Sequence, residues 1–300
     1  MEISVKRKLT DLLDARFMAR LDGLDLASRR MRVGRSQGQR LSKRRGQSVE
    51  FADHRRYAAG DDLRFLDWNI YARLEQLFLK LFLEEQDLTL HILIDVSESV
   101  TMGEPSKDLF IRRMAAALGY LGLVHNNRIN LGAFADGIVS RLDNQRGRNC
   151  VSRLAEFLLT VECRGTGAFD KACKQVVHDR MGSGVVVVLS DILFKEGYEE
   201  GLKRLLGRQY DVFVIQVLSP QEQHPTLSGD LKLVDIEDGD TAEITVNAAL
   251  LKYYQRTLSA YCNGIQQFCL RHGAGYVLSG SDASPERLTL NTLRKTGLLK

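Results

Sequence analysis

Proline is scarce in this 300-residue chain, with four residues, and tryptophan occurs once. With so little proline there is no Pro-rich linker, and no flexible joint between domains is evident. The five cysteines, at positions 150, 163, 173, 262 and 269, are odd in number and include no C-x-x-C pair. That argues against a disulfide framework or a zinc site and for free thiols. Six histidines are scattered without H-E-x-x-H or similar ligand spacing, so packing and surface roles are the simpler reading. Long apolar runs are missing too. The longest charge-free, apolar-rich stretch, Met114–Asn127, has 14 residues and contains two Gly, one His and two Asn. It is too short and too polar to cross a bilayer. The opening MEISVKRKLTDLLDARF is charged throughout and has no signal-peptide core. A cytoplasmic protein with no membrane span is the expectation.

Acidic residues are absent from Ala27 to Val49, where eight basic ones stand: Arg29, Arg30, Arg32, Arg35, Arg40, Lys43, Arg44 and Arg45. Removing these eight charges from the net +4 leaves the remainder of the chain at −4. Such an arm suits a solvated or acid-paired surface, an anionic partner, or nucleic acid. No aromatic side chain interrupts it to stack on bases, so nucleic acid is the least favoured of these.

What is present is an ordinary globular composition, 44% hydrophobic and 27% charged, able to bury a sizeable core. After an N-terminal helical stretch, the basic arm and a polar, turn-rich region over about 46–75, strands and helices alternate. Leu88–Ile94 reads as a strand, and Ser106 as the cap of a helix to about His125. Ile129–Phe134 and Ile138–Leu142 are close enough to form a hairpin. Helices follow near Val151–Leu159 and Ala168–Arg180. The run GVVVVLSD at Gly184–Asp191, apolar on both faces, suits a central parallel strand. Beyond it come a helix at Tyr198–Arg208, a strand at Val212–Leu218, and short strands Leu231–Ile236 and Ala242–Val246 around the acidic turn EDGD. A helix at Asn247–His272 and a last strand at Tyr276–Ser279 complete the pattern. This alternation predicts an α/β fold, a doubly wound, mostly parallel sheet with right-handed crossovers. Residues 1–87 form an N-terminal extension and 88–300 the main domain.

In such sheets ligands sit beyond the carboxyl ends of the strands, where strand order reverses. The Leu88 strand ends in Asp95-x-Ser97-x-Ser99, and the Gly184 strand in Ser190 and Asp191. The loop RGTG can bring Thr166 to the same crevice. Carboxylates and hydroxyls are all-oxygen ligands, suited to a hard divalent cation, Mg²⁺ first with Mn²⁺ or Ca²⁺ as alternatives. Neutral hydroxyls leave the ion much of its charge, so that an incoming carboxylate from another protein can complete the shell.

The pattern resembles the von Willebrand factor A domain and its metal-ion-dependent adhesion site. The resemblance implies Asp95, Ser97, Ser99, Thr166 and Asp191 as ligands and the sheet order 3-2-1-4-5-6 with one antiparallel edge strand. Arg164 stands where that family's Thr loop commonly has a second Gly.

Upstream, FADHRRYAAGDDLRFLDWNIYAR (51–73) is rich in charge and aromatics. Asp61, Asp62 and Asp67 read as a structural ion network with Arg55, Arg56, Arg64 and Arg73, around a tight turn at Gly60, and Tyr57 and Trp68 complete the signature. Trp68 is expected to pack the extension onto the main domain. The block is similar to the hallmark Y-x-x-G-D-D-x-R-x-x-D-W of the family called domain of unknown function 58. That resemblance implies a MoxR-type AAA+ ATPase as partner. The function expected is a non-catalytic, metal-dependent interaction module that captures an acidic residue of a client protein. The alternatives are a metal-dependent phosphohydrolase using Asp95 and nucleic-acid binding through the arm.

Overall fold

The run Val185–Ser190 is buried along its whole length, as is Thr89–Asp95, and two such runs side by side form the centre of the protein. The computed structural model describes residues 10, 12–27, 50–58, 60–83, 88–179, 184–208, 210–237 and 239–300. The basic arm, Arg29 to Arg45, lies outside the described residues. The chain divides into two units, residues 33–87 and the remainder.

In chain order, the first element is α1 (Ala15–Leu21), capped by Asp14, whose carboxylate accepts the Phe17 N–H at 2.6 Å. Within the smaller unit, β1 (Glu50–Arg56) and β2 (Phe78–Leu83) form a two-stranded antiparallel sheet, with α2 (Trp68–Leu74) between them in sequence. The larger unit continues with β3 (Thr89–Asp95), α3 (Lys107–Val124), β4 (Arg128–Ala135), β5 (Gly137–Gln145) and α4 (Val151–Thr160). There follow α5 (Phe169–His178), β6 (Val185–Ser190), α6 (Glu199–Gly207) and β7 (Asp211–Leu218). The β8–β9 hairpin (Gly229–Val234, Thr241–Val246), the long α7 (Ala248–Arg271) and β10 (Gly275–Gly280) complete it.

Six strands form one sheet in the order β10-β7-β6-β3-β4-β5, parallel except for β5, which returns antiparallel to β4. This is the expected 3-2-1-4-5-6 order. The strand period of two sorts side chains between two cores. Leu90, Ile92, Ile94, Val185, Val187 and Leu189 face the core that also holds Phe17 of α1 and Ile111, Met114 and Leu118 of α3. Leu93, Val186, Val188, Val212 and Val214 face the other core, with Phe169, Leu202 and Ile265. The result is a three-layer helix–sheet–helix sandwich.

One expectation is corrected. The N-terminal extension is not one piece, because residues 12–27 belong to the larger unit. Leu26 bridges Leu299 antiparallel, and the Ala27 N–H donates to the Leu298 carbonyl at 2.8 Å, so this early segment is hydrogen-bonded to the chain's last residues. Trp68 lies in the smaller unit. It is 63% exposed, edge-on to Tyr71 with ring centroids 6.1 Å apart. Its neighbour Asp67 is the buried residue, capping α2 by accepting the Asn69 and Ile70 N–H groups.

Gly184 begins β6 so close to β3 that a Cβ there would stand 2.1 Å from the Thr89 carbonyl oxygen, a main-chain atom that cannot swing aside. Gly184→Ala is therefore expected to destabilise the protein by about 1–3 kcal/mol in urea unfolding. His91 lies inside the sheet, its Nδ1 3.3 Å from Asn130 Nδ2 and its Nε2 buried without a partner. Burial lowers its pKa from 6.5 to about 4. Between those values the unfolded imidazole holds a proton that the folded one excludes, so stability falls as pH drops through this window. The expected loss is about 3 kcal/mol. A pH series of urea denaturations should show this step in the wild type and not in His91→Leu.

Candidate functional site

The carboxyl ends of β3 and β6 lie side by side, and β3 is flanked by β4 on one side and β6 on the other. Strand order reverses there, so the crevice opens above Asp95. Asp95 is fully buried. Its Oδ1 accepts the Ser97 N–H at 2.9 Å and the Ser97 hydroxyl at 2.7 Å, while Oδ2 accepts the Ser190 hydroxyl at 2.6 Å. Ser190 also accepts the Ile192 N–H, which fixes its rotamer. The Ser97 and Ser99 hydroxyls lie 3.0 Å apart. The motif thus forms a continuous row of oxygens rather than a turn filled with small polar residues.

Burial, and next the charge of Asp191, push the Asp95 carboxyl well above the usual carboxylate range. Asp191 has one oxygen on the Leu193 N–H at 3.1 Å and the other on Lys107 Nζ at 2.7 Å. Lys107 is itself buried and also pairs with Glu222. Burial opposes its charge, but the attraction of Asp191 and Glu222 prevails and its pKa is raised. The sequence reading missed Lys107, which directly follows the capping Ser106 and reads as an ordinary first-turn residue.

The loop carrying Thr166 docks on the motif through its main chain. Arg164 N–H donates to the Val96 carbonyl at 2.8 Å, and Glu98 N–H to the Gly165 carbonyl at 3.0 Å. The left-handed turn at Gly165 (φ +82°) brings its Cα so near Asp136 that a Cβ would meet that carboxylate at 2.6 Å. Thr166 gives its hydroxyl to Asp136 at 2.6 Å and its N–H to the same oxygen at 3.0 Å. These bonds hold the Asp136 carboxyl below its usual range. The structure therefore brings Asp95, Ser97, Ser99 and Asp191 together, and turns the Thr166 hydroxyl to an acid outside that set.

A second residue outside the sequence reading borders the crevice. Glu237, in the turn between β8 and β9, has its carboxyl raised above the usual range by burial, which the nearby Ser99 hydroxyl opposes and the charge of Asp191 reinforces. Its only signal was the acidic turn EDGD.

The signature block behaves as an ion network in its own unit. Arg55 pairs with Asp61 at 2.8 Å and Arg64 with Asp62 at 2.6 Å, across a turn where Gly60 adopts φ +104°. Asp67 pairs with His54 at 2.9 Å and Lys80 at 3.5 Å instead of with an arginine, and the His54 bond leads in lowering its carboxyl to about 2. Tyr57 donates its backbone N–H to the Leu77 carbonyl at 2.9 Å, closing the hairpin, and Arg73 lies exposed in the last turn of α2.

Whether the crevice suits a cation can be judged from its donors. Asp95 and Asp191 are buried and repel each other; Asp191 pairs with the Lys107 ammonium, which Glu222 shares, while Asp95 is met by the hydroxyls of Ser97 and Ser190. Hydroxyl oxygens of Ser97 and Ser99 stand beside them. A hard divalent cation fits this chemistry. Among the described residues no group of three or more His, Cys, Asp or Glu could hold a metal ion, so a cation in this crevice would also need the hydroxyls.

The strand order, the antiparallel edge strand and the oxygen-lined crevice define a von Willebrand factor A-like α/β domain. Residues 53–261 match the family described as "Protein of unknown function DUF58", and the chain belongs to that family. It is 24% identical over 257 residues to the uncharacterized protein Rv1480 of Mycobacterium tuberculosis, covering 84% of this chain and 80% of that protein. Among solved structures it is similar to the conserved hypothetical protein BatB from Bacteroides thetaiotaomicron (TM-score 0.42, 14% identity, 70% of this chain and 98% of that one). It is also similar to the SpRpn10 VWA domain (TM-score 0.37, 14% identity, 69% and 95%). No helix among the described residues is long and apolar enough to cross a membrane.

Lys107→Met should leave Asp191 and Glu222 as uncompensated acids, one of them buried. The expected cost is about 3–5 kcal/mol in urea unfolding. Adding Asp191→Asn to that variant should recover part of it.

Proposed function

We propose that this protein is a non-catalytic interaction module that uses a divalent cation, Mg²⁺ first, to capture a carboxylate of another protein. The observation that carries this reading is the Asp95 carboxylate, fully buried at the mouth of the sheet beside Asp191 and met by a row of neutral hydroxyls. Asp95, Ser97, Ser99 and Asp191 are the residues that would hold the ion, with Thr166 joining if its hydroxyl leaves Asp136. A bound ion would supply an electropositive position open to an incoming carboxylate. Ser97 and Ser190 hold Asp95 in one rotamer, and Lys107 fixes one oxygen of Asp191, so two carboxylates are oriented before any ligand arrives. Burial keeps the local dielectric low, which strengthens a charge contact formed there.

Supporting a partner of the AAA+ class is the signature block, whose family resemblance implies a MoxR-type ATPase. This chain has no G-x-x-x-x-G-K-[ST] loop of its own. The module would then couple an acidic client to ATP-driven remodelling by that partner, in the cytoplasm.

With Mg²⁺ at about 100 times its Kd, the wild type is expected to gain about 2.7 kcal/mol in urea unfolding. Asp95→Asn should gain nothing. Affinity purification from the source organism should recover an AAA+ ATPase with Mg²⁺ and lose it with chelator. Equal stability with and without Mg²⁺ or Mn²⁺ would sink the reading.

A further inference from the structure

The β8–β9 hairpin is a sheet of two strands, paired only with each other among the described residues. The register sets Leu231 opposite Ile244 and Leu233 opposite Ala242. Strand periodicity puts these four on one face, and Asp230, Lys232, Glu243 and Thr245 on the other. So clean an alternation belongs to an antiparallel sheet with one face covered. Here the cover is partial. Leu231 and Ile244 are half-buried, Ala242 is exposed and Leu233 is 43% exposed. None of the four belongs to either core of the main sheet, and α7, which follows, buries no side chain before Cys262. A lone two-stranded hairpin is marginal in water and gains from a third strand.

The charge of this element selects what can join it. Between Gly229 and Val246 stand six acids, Asp230, Asp235, Glu237, Asp238, Asp240 and Glu243, against Lys232 alone, a net −5 in a chain of net +4. A second copy of the hairpin carries the same sign and is repelled. A strand of alternating apolar and basic residues meets both faces at once, its apolar side chains level with Leu233 and Ile244 and its basic ones level with Asp230 and Glu243. The turn is braced, with Asp235 N–H on the Asp240 carbonyl at 2.8 Å and Lys195 on the Asp235 carboxylate at 2.8 Å. An edge held in advance has less ordering to lose on binding.

We propose that the β8–β9 hairpin is a docking edge for another protein, taking an extended segment of alternating apolar and basic residues as a third strand. None of Asp95, Ser97, Ser99, Thr166 and Asp191 takes part, so this surface stands or falls separately from the cation site.

The probe is a fluorescein-labelled peptide of alternating lysine and valine, added to the full chain and read by anisotropy. Its controls are a block peptide of the same composition, lysines first and valines after, and an alternating glutamate–valine peptide. The lysine–valine peptide should bind about tenfold more tightly than the block peptide, and the glutamate–valine peptide should not bind. Glu243→Lys should weaken binding about tenfold and Leu233→Ser about threefold. Both side chains are exposed, so the urea midpoints of these variants should stay close to that of the wild type. Affinity should fall as salt rises and be the same with Mg²⁺ and with chelator. Equal binding of block and alternating peptides reduces the surface to charge attraction and overturns strand docking. No binding of the alternating peptide, or undiminished binding in both variants, overturns it as well. Binding that requires Mg²⁺ assigns the peptide to the crevice and overturns the hairpin site alone.

Discussion

A carboxylate buried at the end of a central strand is the constraint on which the rest of this site depends. Asp95 sits where β3 leaves the sheet, between β4 and β6, with no exposure to water. A charge in such a place is tolerated only when its oxygens are met by donors or by an opposite charge. The surrounding structure supplies the donors: Ser97 from its own loop and Ser190 from the neighbouring strand. The second depends on β3 and β6 being adjacent and parallel, which the valine-rich β6 makes favourable by being apolar on both faces.

Charge balance then distinguishes the two halves of the molecule. In the crevice, Asp95 and Asp191 repel one another in a dry environment, and Lys107 divides its charge between Asp191 and Glu222. On the proposed reading, the negative excess left over is what would receive a cation. In the signature block, by contrast, Arg64 is 80% exposed beside Asp62, and water screens the pair. Exposed pairs of that kind hold little energy. The dense charge of the block organises its own hairpin and turn, and carries no comparable electrostatic tension.

The alternation of elements was legible because the strands of a parallel sheet are apolar without interruption and the helices between them are amphipathic. Val185–Ser190, the β4–β5 hairpin, the Ser106 cap and the long helix beginning at Asn247 all stand where the pattern put them. The β1–β2 pair escaped, since EFADHRR shows no clean period of two and sits in a region dense with turn formers. So did the pairing of Leu26 with Leu299, because contacts between chain ends leave no local pattern. At the site, the D-x-S-x-S spacing and the Ser190–Asp191 strand end were readable from strand geometry. Lys107, Asp136 and Glu237 were not, since each approaches from a different element and is chemically ordinary in its own neighbourhood.

By itself the sequence determined the α/β class, the strand that aims Asp95 and the oxygen character of the crevice, because these follow from periodicity and from which residues end a strand. Tertiary structure alone decided how charge is distributed there. It gave one oxygen of Asp191 to a buried lysine and turned Thr166 to Asp136. The physical reason is that a hydrogen bond or ion pair is fixed by distance in space, and residues separated by tens of positions acquire that distance only when the layers pack.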